Sequence, residues 1–194
     1  CAFDQRKPVK PAALIDRDGT ININTHHLNR VEDLQLISGA GEAIARLNNA
    51  GYPVIIITNQ SAIARGLLTE EGLVEIHGKL KHQLSAHNAS IDGIYHCPHH
   101  PDYGDCAICD CRKPAPGMLL QAANEHNIDL ACSIMIGDSL ADVEAGWNAG
   151  CRAALVRTGS GENVLTKIDD NTRDRIDYIG NDLSDVVNWI LSNE

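Results

Sequence analysis

The sequence lacks an excess of positive charge. Its 194 residues include 16 Lys and Arg against 26 Asp and Glu, which gives a formal net charge of -10 at pH 7. Because affinity for a phosphate backbone or an anionic lipid surface is largely electrostatic, this balance argues against a nucleic-acid or membrane partner. It leaves room for a small anionic substrate, since a local cluster of cations can override the field of the whole protein.

Long apolar runs are absent as well. No stretch is long and apolar enough to cross a membrane as a helix. The opening segment, CAFDQRKPVKPAALID, lacks the apolar core of a signal peptide, so the expected location is the cytosol. No repeat, low-complexity segment or linker rich in Pro, Gly or Ser divides the chain, and its length suits one well-packed core. We therefore expect a single domain over residues 1–194.

The sequence instead contains an alternation of two patterns. Short apolar runs typical of buried strands occur at 12–16, 53–58, 91–96, 133–138 and 152–157. Stretches with helical apolar spacing, several ending at Gly or Asn, lie at 41–51, 69–88, 115–127 and 139–150. This alternation predicts an α/β fold with a doubly wound, mostly parallel sheet. Since such sheets bind ligands beyond the carboxyl ends of their strands, the residues after each run are the candidate site.

These positions hold the groups needed for phosphoryl transfer. Asp16 and Asp18 follow the first run in DRDGT, where a turn at Gly19 lets both carboxyl groups address one ligand. A hydroxyl donor, Thr58, follows the second run, and Asp138 follows the fourth. One carboxylate can take a phosphoryl group as an acyl phosphate. A second acid can protonate the leaving oxygen and then deprotonate the attacking water.

The predicted phosphoryl-transfer site also needs positive charge, from basic side chains and from a metal ion. Arg112 and Lys113 follow a loop rich in Cys and His, and Lys113 with Thr58 would hold phosphate oxygens where charge gathers in the transition state. A hard divalent cation, Mg²⁺, would let clustered carboxylates coexist with a dianionic phosphate. Its predicted ligands are Asp16, the backbone carbonyl of Asp18, and Asp138.

The motifs resemble those of a known superfamily. DRDGT, the Thr of IIITNQS, Lys113 and GDSLAD, in this order across most of the chain, resemble the four motifs of haloacid dehalogenase superfamily phosphatases. The resemblance implies that Asp16 is the nucleophile, that Asp18 is the general acid/base, and that Thr58 and Lys113 bind phosphate. Finer matches, TNQSAIARGLLTEE, CPHHP and CDCRKPAPGM, resemble the D-glycero-D-manno-heptose 1,7-bisphosphate 7-phosphatase family.

That finer resemblance implies a reaction and a site. The reaction removes the 7-phosphate through an aspartyl-phosphate and gives heptose 1-phosphate for nucleotide-activated heptose, used in lipopolysaccharide or surface glycans. The implied fold is capless, with a zinc loop in place of a lid domain. Implied substrate contacts come from Asn24, Thr25, His26, His27, Thr58, Asn59, Gln60, Ser61, Arg112 and Lys113. A basic Arg65 suits a second phosphate group and favours a heptose bisphosphate over histidinol phosphate, the substrate of the nearest competing family.

The second candidate metal site is a loop at about 96–112. Cys97-x-His99 and Cys109-x-Cys111 are two close pairs of ligands that the loop can bring around a tetrahedral Zn²⁺. Four protein ligands leave no open coordination position, so the expected role of zinc is structural. The chain has seven cysteines, and in a reducing compartment a dense cluster indicates a metal before a disulfide, which is the main alternative.

The sequence leaves several residues with more than one candidate role. Cys106 could replace Cys109, and His96 or His100 could replace His99; the resemblance supports the set Cys97, His99, Cys109 and Cys111. Ser139 stands where some family members have Lys. Asp142 could orient Lys113 or a metal-bound water, or be a solvated acid in the first turn of a helix. His77, His82 and His87 recur at intervals of five along one predicted helix, and we expect them to be solvated.

A different class of function is a zinc-stabilised binding module that keeps a phosphatase fold without turnover. Intact Asp16 and Asp18 argue against it, because a module released from catalysis needs neither acid. With no large cap domain evident, we expect a monomer that acts on a small sugar bisphosphate.

Overall fold

The fold is built on a sheet of six parallel strands. A computed structural model describes residues 9–25, 28–103 and 109–193. The strands are β1 (Ala13–Ile15), β2 (Val54–Asn59), β3 (Gly93–Cys97), β4 (Ile134–Gly137), β5 (Arg152–Val156) and β6 (Tyr178–Gly180). They pair in the order β3-β2-β1-β4-β5-β6, and every pair is parallel. The predicted α/β class and doubly wound parallel sheet are confirmed.

Helices connect the strands. They are α1 (Ala40–Asn49), α2 (Ser61–Ala64), α3 (Glu70–Ser85), α4 (Gly117–His126), α5 (Leu140–Ala149), α6 (Gly161–Leu165), α7 (Asp170–Asp174) and α8 (Leu183–Ser192). Short 3-10 helices lie at Val31–Asp33 and Leu130–Cys132. No helix in the described ranges combines the length and apolar character needed to cross a membrane.

Helices cover both faces of the sheet because alternate strand residues point to opposite sides. Ile56 packs into one core with the buried sides of α1, α3 and α8. Its neighbours Ile55 and Ile57 pack into a second core with α4 and part of α5. The strands are buried on both faces, which is why they read as continuous apolar runs in the sequence.

The strand order places the site. Strand order reverses about β1, which lies between β2 and β4, and this is where open α/β sheets form a ligand crevice. Ile15 at the end of β1 is level with Ile56 of β2 and Ile136 of β4. Asp16 and Asp138, which follow β1 and β4, therefore emerge side by side.

The carboxyl-terminal part goes beyond the sequence-based expectation, which ended at residue 157. The structure adds α6, α7, β6 and α8. Strand β6 has only three residues and is partly exposed, so its apolar run is short. Helix α8 has a clear signal, because Leu183, Val186, Val187 and Ile190 are spaced as one buried helical face.

No separate lid stands between β1 and β2 in the described ranges. The described residues there form one 3-10 helix and α1, and α1 packs on the core. The segment after β3 contains the Cys and His loop. This arrangement agrees with the capless fold that the sequence resemblance implies.

Burial on α1 gives a stability prediction. Leu47 on α1 is fully buried, whereas Leu120 on α4 is about half exposed. Leu47→Ala should lower the free energy of unfolding by roughly 2–5 kcal/mol, since it removes buried methyl groups and leaves a cavity. Leu120→Ala is the matched control and should change it by less than about 0.5 kcal/mol. Urea unfolding measures both, and equal effects would contradict the packing described here.

Candidate active site

Lys113 is the buried cation at the centre of the site. Its ammonium group donates to Oδ1 of Asp16 at 2.7 Å and to the carbonyl oxygen of Ile57 at 2.6 Å. It lies 2.6 Å from Oδ1 of Asp142. Burial alone lowers the pKa of Lys113, but the two carboxylates raise it well above its usual range. Lys113 therefore stays charged, with hydrogen bonds to Asp16 and Ile57 and an ion pair with Asp142.

Asn59 fixes the backbone of Lys113. At the end of β2, Oδ1 of Asn59 accepts from the backbone N–H of Lys113 at 3.1 Å. The amide Nδ2 of Asn59 donates to the carbonyl oxygen of Lys113 at 3.2 Å. This pair of hydrogen bonds ties the loop before α4 to the end of β2.

Three carboxylates form a candidate magnesium centre. Asp16, Asp138 and Asp142 are buried, and one ligand atom from each lies within 4.8 Å of the others. Burial raises the pKa of Asp16 well above its usual range, against the opposing effect of Lys113. Burial also raises the pKa of Asp138 to about 6. Three carboxylates against one ammonium leave a buried excess of negative charge. Asp142 faces Lys113, and the carboxylate oxygens of Asp16 and Asp138 are donors that fit Mg²⁺.

Two glycines permit the close approach of backbone to this centre. Gly19 has φ +89° and Gly159 has φ +56°, and a Cβ at either position would overlap Oδ2 of Asp138. That same oxygen accepts from the backbone N–H of Ser160 at 2.7 Å. The Asp138 carboxylate is therefore held between the loop after β1 and the loop after β5.

Asp18 has a separate set of partners. Its Oδ1 accepts from Nδ2 of Asn22 at 2.9 Å and from Nε of Arg17 at 3.2 Å. Its Oδ2 accepts from Nη2 of Arg17 at 2.7 Å and from Nε2 of Gln60 at 3.0 Å. Burial alone would raise the pKa of Asp18, but the Arg17 charge and these hydrogen bonds hold it below its usual value. Asp18 is thus a carboxylate in the resting protein.

Gln60 joins the two sides of the site. Its Nε2 also donates to Oγ1 of Thr58 at 2.8 Å, and its Oε1 accepts from Nη2 of Arg17 at 3.2 Å. Its backbone N–H donates to the carbonyl oxygen of Cys97 at 2.8 Å. Thr58 and Asp18 are therefore linked through one buried amide.

Two cavities open beside these residues. The first, of about 450 Å³, is lined by Asp18, Asn24, Leu28, Asn59, Gln60, Ser61 and Ala62. The second, of about 490 Å³, is lined by Gly19, Ile23, Asn24, Ile37, Thr158, Gly159, Ser160 and Asn163. Of the predicted substrate contacts, Asn24 lines both cavities, Asn59, Gln60 and Ser61 line the first, and Thr25 is exposed. His26 and His27 lie outside the described residues.

The preferred zinc ligands converge. Sγ of Cys97 lies 3.7 Å from Nδ1 of His99 and 3.7 Å from Sγ of Cys109. Sγ of Cys111 lies 3.1 Å from Sγ of Cys97 and 3.4 Å from Nδ1 of His99. A tetrahedron with Zn–S bonds of about 2.3 Å has edges of about 3.8 Å, so this set fits zinc. Cys97, Cys109 and Cys111 are free thiols, and no disulfide joins them.

The other proposed zinc ligands have different places. His96 contacts Oε2 of Glu70 at 2.9 Å, and His100 contacts Nη2 of Arg65 at 3.0 Å. Cys106 lies outside the described residues. The Arg65 guanidinium also stacks over the ring of Tyr103, 4.2 Å from its centroid.

Known proteins share this chain's sequence and fold. A family model described as HAD-hydrolase-like matches residues 110–186. The D-glycero-beta-D-manno-heptose-1,7-bisphosphate 7-phosphatase of Photorhabdus laumondii is 45% identical over 158 residues, 79% of this chain and 84% of that protein. The D-glycero-D-manno-heptose-1,7-bisphosphate 7-phosphatase of Thermosynechococcus vestitus is 38% identical over 191 residues, 95% of this chain and 97% of that protein.

The chain belongs to the D-glycero-manno-heptose-1,7-bisphosphate 7-phosphatase family. A crystal structure of the B. bronchiseptica D,D-heptose 1,7-bisphosphate phosphatase, complexed with magnesium and phosphate, superposes with a TM-score of 0.85. It is 35% identical in sequence and covers 95% of this chain and 99% of that one. The family and superfamily expected from the motifs are confirmed.

One expectation changes within this family site, and for Asp142 one of the two open alternatives fits the structure. His77 was expected to be solvated, but it is partly buried and its Nε2 lies 3.2 Å from Nη1 of Arg17. It sits four residues after Leu73 and three before Leu80, so the apolar stripe of α3 carries it inward. Asp142 is not a solvated acid, because it is buried against Lys113 and accepts from Ser139 at the start of α5.

Some residues of the site had no role in the sequence analysis. Arg17 and Asn22 hold Asp18, and Ser160 with Gly159 holds Asp138. Arg17 had a signal, since it lies inside DRDGT between the two acids. Ser160 and Gly159 lie in the loop after β5 and carry no motif, so only the folded strand order brings them to the site.

The close approach at Gly159 gives a metal-binding prediction. Gly159→Ala should weaken Mg²⁺ binding by roughly 10- to 100-fold, because the added Cβ displaces the Asp138 carboxylate. Gly150→Ala is the matched control, since Gly150 also has positive φ, +81°, but has open space around it. Calorimetric titration with Mg²⁺ measures both variants. Wild-type affinity in Gly159→Ala would contradict the placement of Asp138 in the metal centre.

Proposed function

We propose that this protein hydrolyses the 7-phosphate of D-glycero-D-manno-heptose 1,7-bisphosphate and releases heptose 1-phosphate and inorganic phosphate. The observation that carries the proposal is the buried cluster of Asp16, Asp138 and Asp142 around Lys113, in a chain of this family. A single domain is part of the proposal, since the described core packs around one six-stranded sheet. A monomeric state is proposed with it.

Asp16 is the nucleophile of the proposed reaction. Lys113 holds one carboxylate oxygen and thereby orients the group toward the phosphorus. Attack forms a bond between a carboxylate oxygen and phosphorus and breaks the bond from phosphorus to the sugar oxygen. The departing oxygen takes a proton, and the sugar leaves as an alcohol.

Asp18 is the general acid of the first step and the general base of the second. The incoming phosphate brings negative charge beside a carboxyl group whose partners hold it ionised, and like charge favours its protonated form. Protonated Asp18 then gives its proton to the leaving sugar oxygen. As a carboxylate, Asp18 next takes a proton from water as that water attacks the phosphorus, which frees Asp16 and phosphate.

Mg²⁺ would be held by Asp16 and Asp138 with the backbone carbonyl of Asp18, and when bound it would neutralise charge on the transferring phosphoryl group. Lys113 and Thr58 supply further contacts to the phosphoryl oxygens. Asp142 keeps Lys113 in place through a second buried ion pair.

The sugar is proposed to occupy the cavity beside Asp18. Asn24, Gln60 and Ser61 line this cavity and offer polar groups to hydroxyls. Arg65 follows Ser61 by one helical turn, and its backbone N–H donates to the carbonyl oxygen of Ser61. Arg65 and Arg112 are the proposed cations for the second phosphate group, and Arg112 is anchored by its hydrogen bond to the carbonyl oxygen of His99.

A phosphate-release panel tests the substrate. With Mg²⁺ present, the protein should turn over heptose 1,7-bisphosphate far faster than fructose 1,6-bisphosphate or histidinol phosphate. Both heptose anomers belong in the panel, because one relative's name specifies the beta form and the other's does not. Asp16→Asn should lower kcat by at least roughly 10³-fold, since it removes the nucleophile. A preference for histidinol phosphate would overturn the substrate, and Asp16→Asn activity near wild type would overturn the nucleophile.

A further inference from the structure

A buried arginine contacts Asp18, and a histidine contacts that arginine. Arg17 is fully buried, although it lies between the two acids of DRDGT. Its Nε and Nη2 point at the Asp18 carboxylate, at 3.2 and 2.7 Å. Its Nη1 points the other way and lies 3.2 Å from Nε2 of His77 on α3. The guanidinium therefore bridges the proposed general acid/base and a helix distant in sequence.

The chemistry of this contact fixes the state of His77. An arginine guanidinium has only donors, so Nε2 of His77 must be the acceptor. The ring is therefore neutral and carries its proton on Nδ1. Burial, with Arg17 and His96 adding positive charge nearby, lowers the pKa of His77 to about 3, which agrees with a neutral ring.

Helix α3 holds the ring in place. Leu73, Ile76 and Leu80 are buried in the core, and His77 lies next to this stripe. The side chain of Thr69 caps the helix by accepting from the backbone N–H of Gly72. The His96 ring packs edge-on against His77, with centroids 6.3 Å apart. The acceptor that meets Arg17 is therefore carried by rigid structure.

We propose that His77 is a positioning residue for Asp18. Its Nε2 anchors the Arg17 guanidinium, and the anchored guanidinium fixes the position of the Asp18 carboxylate through both of its oxygens. Without that acceptor, Nη1 of Arg17 is a buried donor that has lost its partner, which is energetically unfavourable. The guanidinium is then expected to rotate toward another acceptor. The inference rests on the proposed function only in taking Asp18 as the group that moves protons.

Kinetics of three variants test this role. His77→Phe keeps a ring but removes the acceptor, and should lower kcat roughly 10-fold or more with KM changed less than about 2-fold. His77→Gln places an amide oxygen near the position of Nε2 and should restore most of kcat. His82→Phe on the same helix is the matched control, because His82 is exposed, and it should leave kcat unchanged.

The measurements use heptose 1,7-bisphosphate and, in parallel, 4-nitrophenyl phosphate. The second substrate needs the two aspartates but no sugar subsite, so a wrong sugar assignment is distinguishable from a wrong role for His77. Unchanged kcat in His77→Phe on both substrates would overturn the proposal. Equal loss in His77→Phe and His77→Gln, with circular dichroism showing both folded, would overturn it as well.

Nitrogen NMR of the wild-type protein gives a test that does not depend on a variant folding well. With ¹⁵N-labelled histidine, one ring should show the neutral tautomer protonated on Nδ1, with Nε2 as acceptor. Its signals should be missing in His77→Gln and present in His82→Phe. A His77 ring protonated on Nε2 would contradict the contact with Arg17 and overturn the proposal.

Discussion

The ammonium group of Lys113 is the charge on which the rest of the site depends. Without it, buried Asp16 and Asp142 would face each other and Asp138 with no compensating cation inside the protein. An uncompensated buried charge costs several kcal/mol, so these acids can share one place only around a cation. Lys113 always supplies one of the compensating positive charges. The proposed Mg²⁺ would supply the rest of the positive charge when it binds.

The position of Lys113 is set by two neighbouring structures. The end of β2 holds it through the carbonyl oxygen of Ile57 and the side chain of Asn59. The Cys and His cluster lies directly before it, since Cys111 precedes Arg112. The same cluster supports the other side of the site, because the carbonyl oxygen of Cys97 accepts from the backbone of Gln60. A structural zinc there would brace both the cation and the loop that contacts phosphate, without taking part in the reaction.

Much of this arrangement could be predicted from sequence for a physical reason. Residues at the carboxyl ends of parallel strands meet at one edge of the sheet, so Asp16, Thr58 and Asp138 can be grouped from their places along the chain. Asp16 and Asp18 have different partners in the resting protein, because β1 ends at Ile15 and the strand alternation stops there. Asp16 turns to Lys113, whereas Asp18 turns to Arg17 and Gln60. Contacts such as these depend on loop geometry that carries no periodic signal.

The phosphoryl group is expected on Asp16 during turnover. Mixing the protein with Mg²⁺ and heptose 1,7-bisphosphate, quenching in acid within the first turnover and sequencing the peptic peptides by mass spectrometry tests it directly. We expect a phosphoryl group on Asp16 that is absent from the Asp16→Asn variant. A phosphoryl group on another residue, or turnover with none on Asp16, would contradict it.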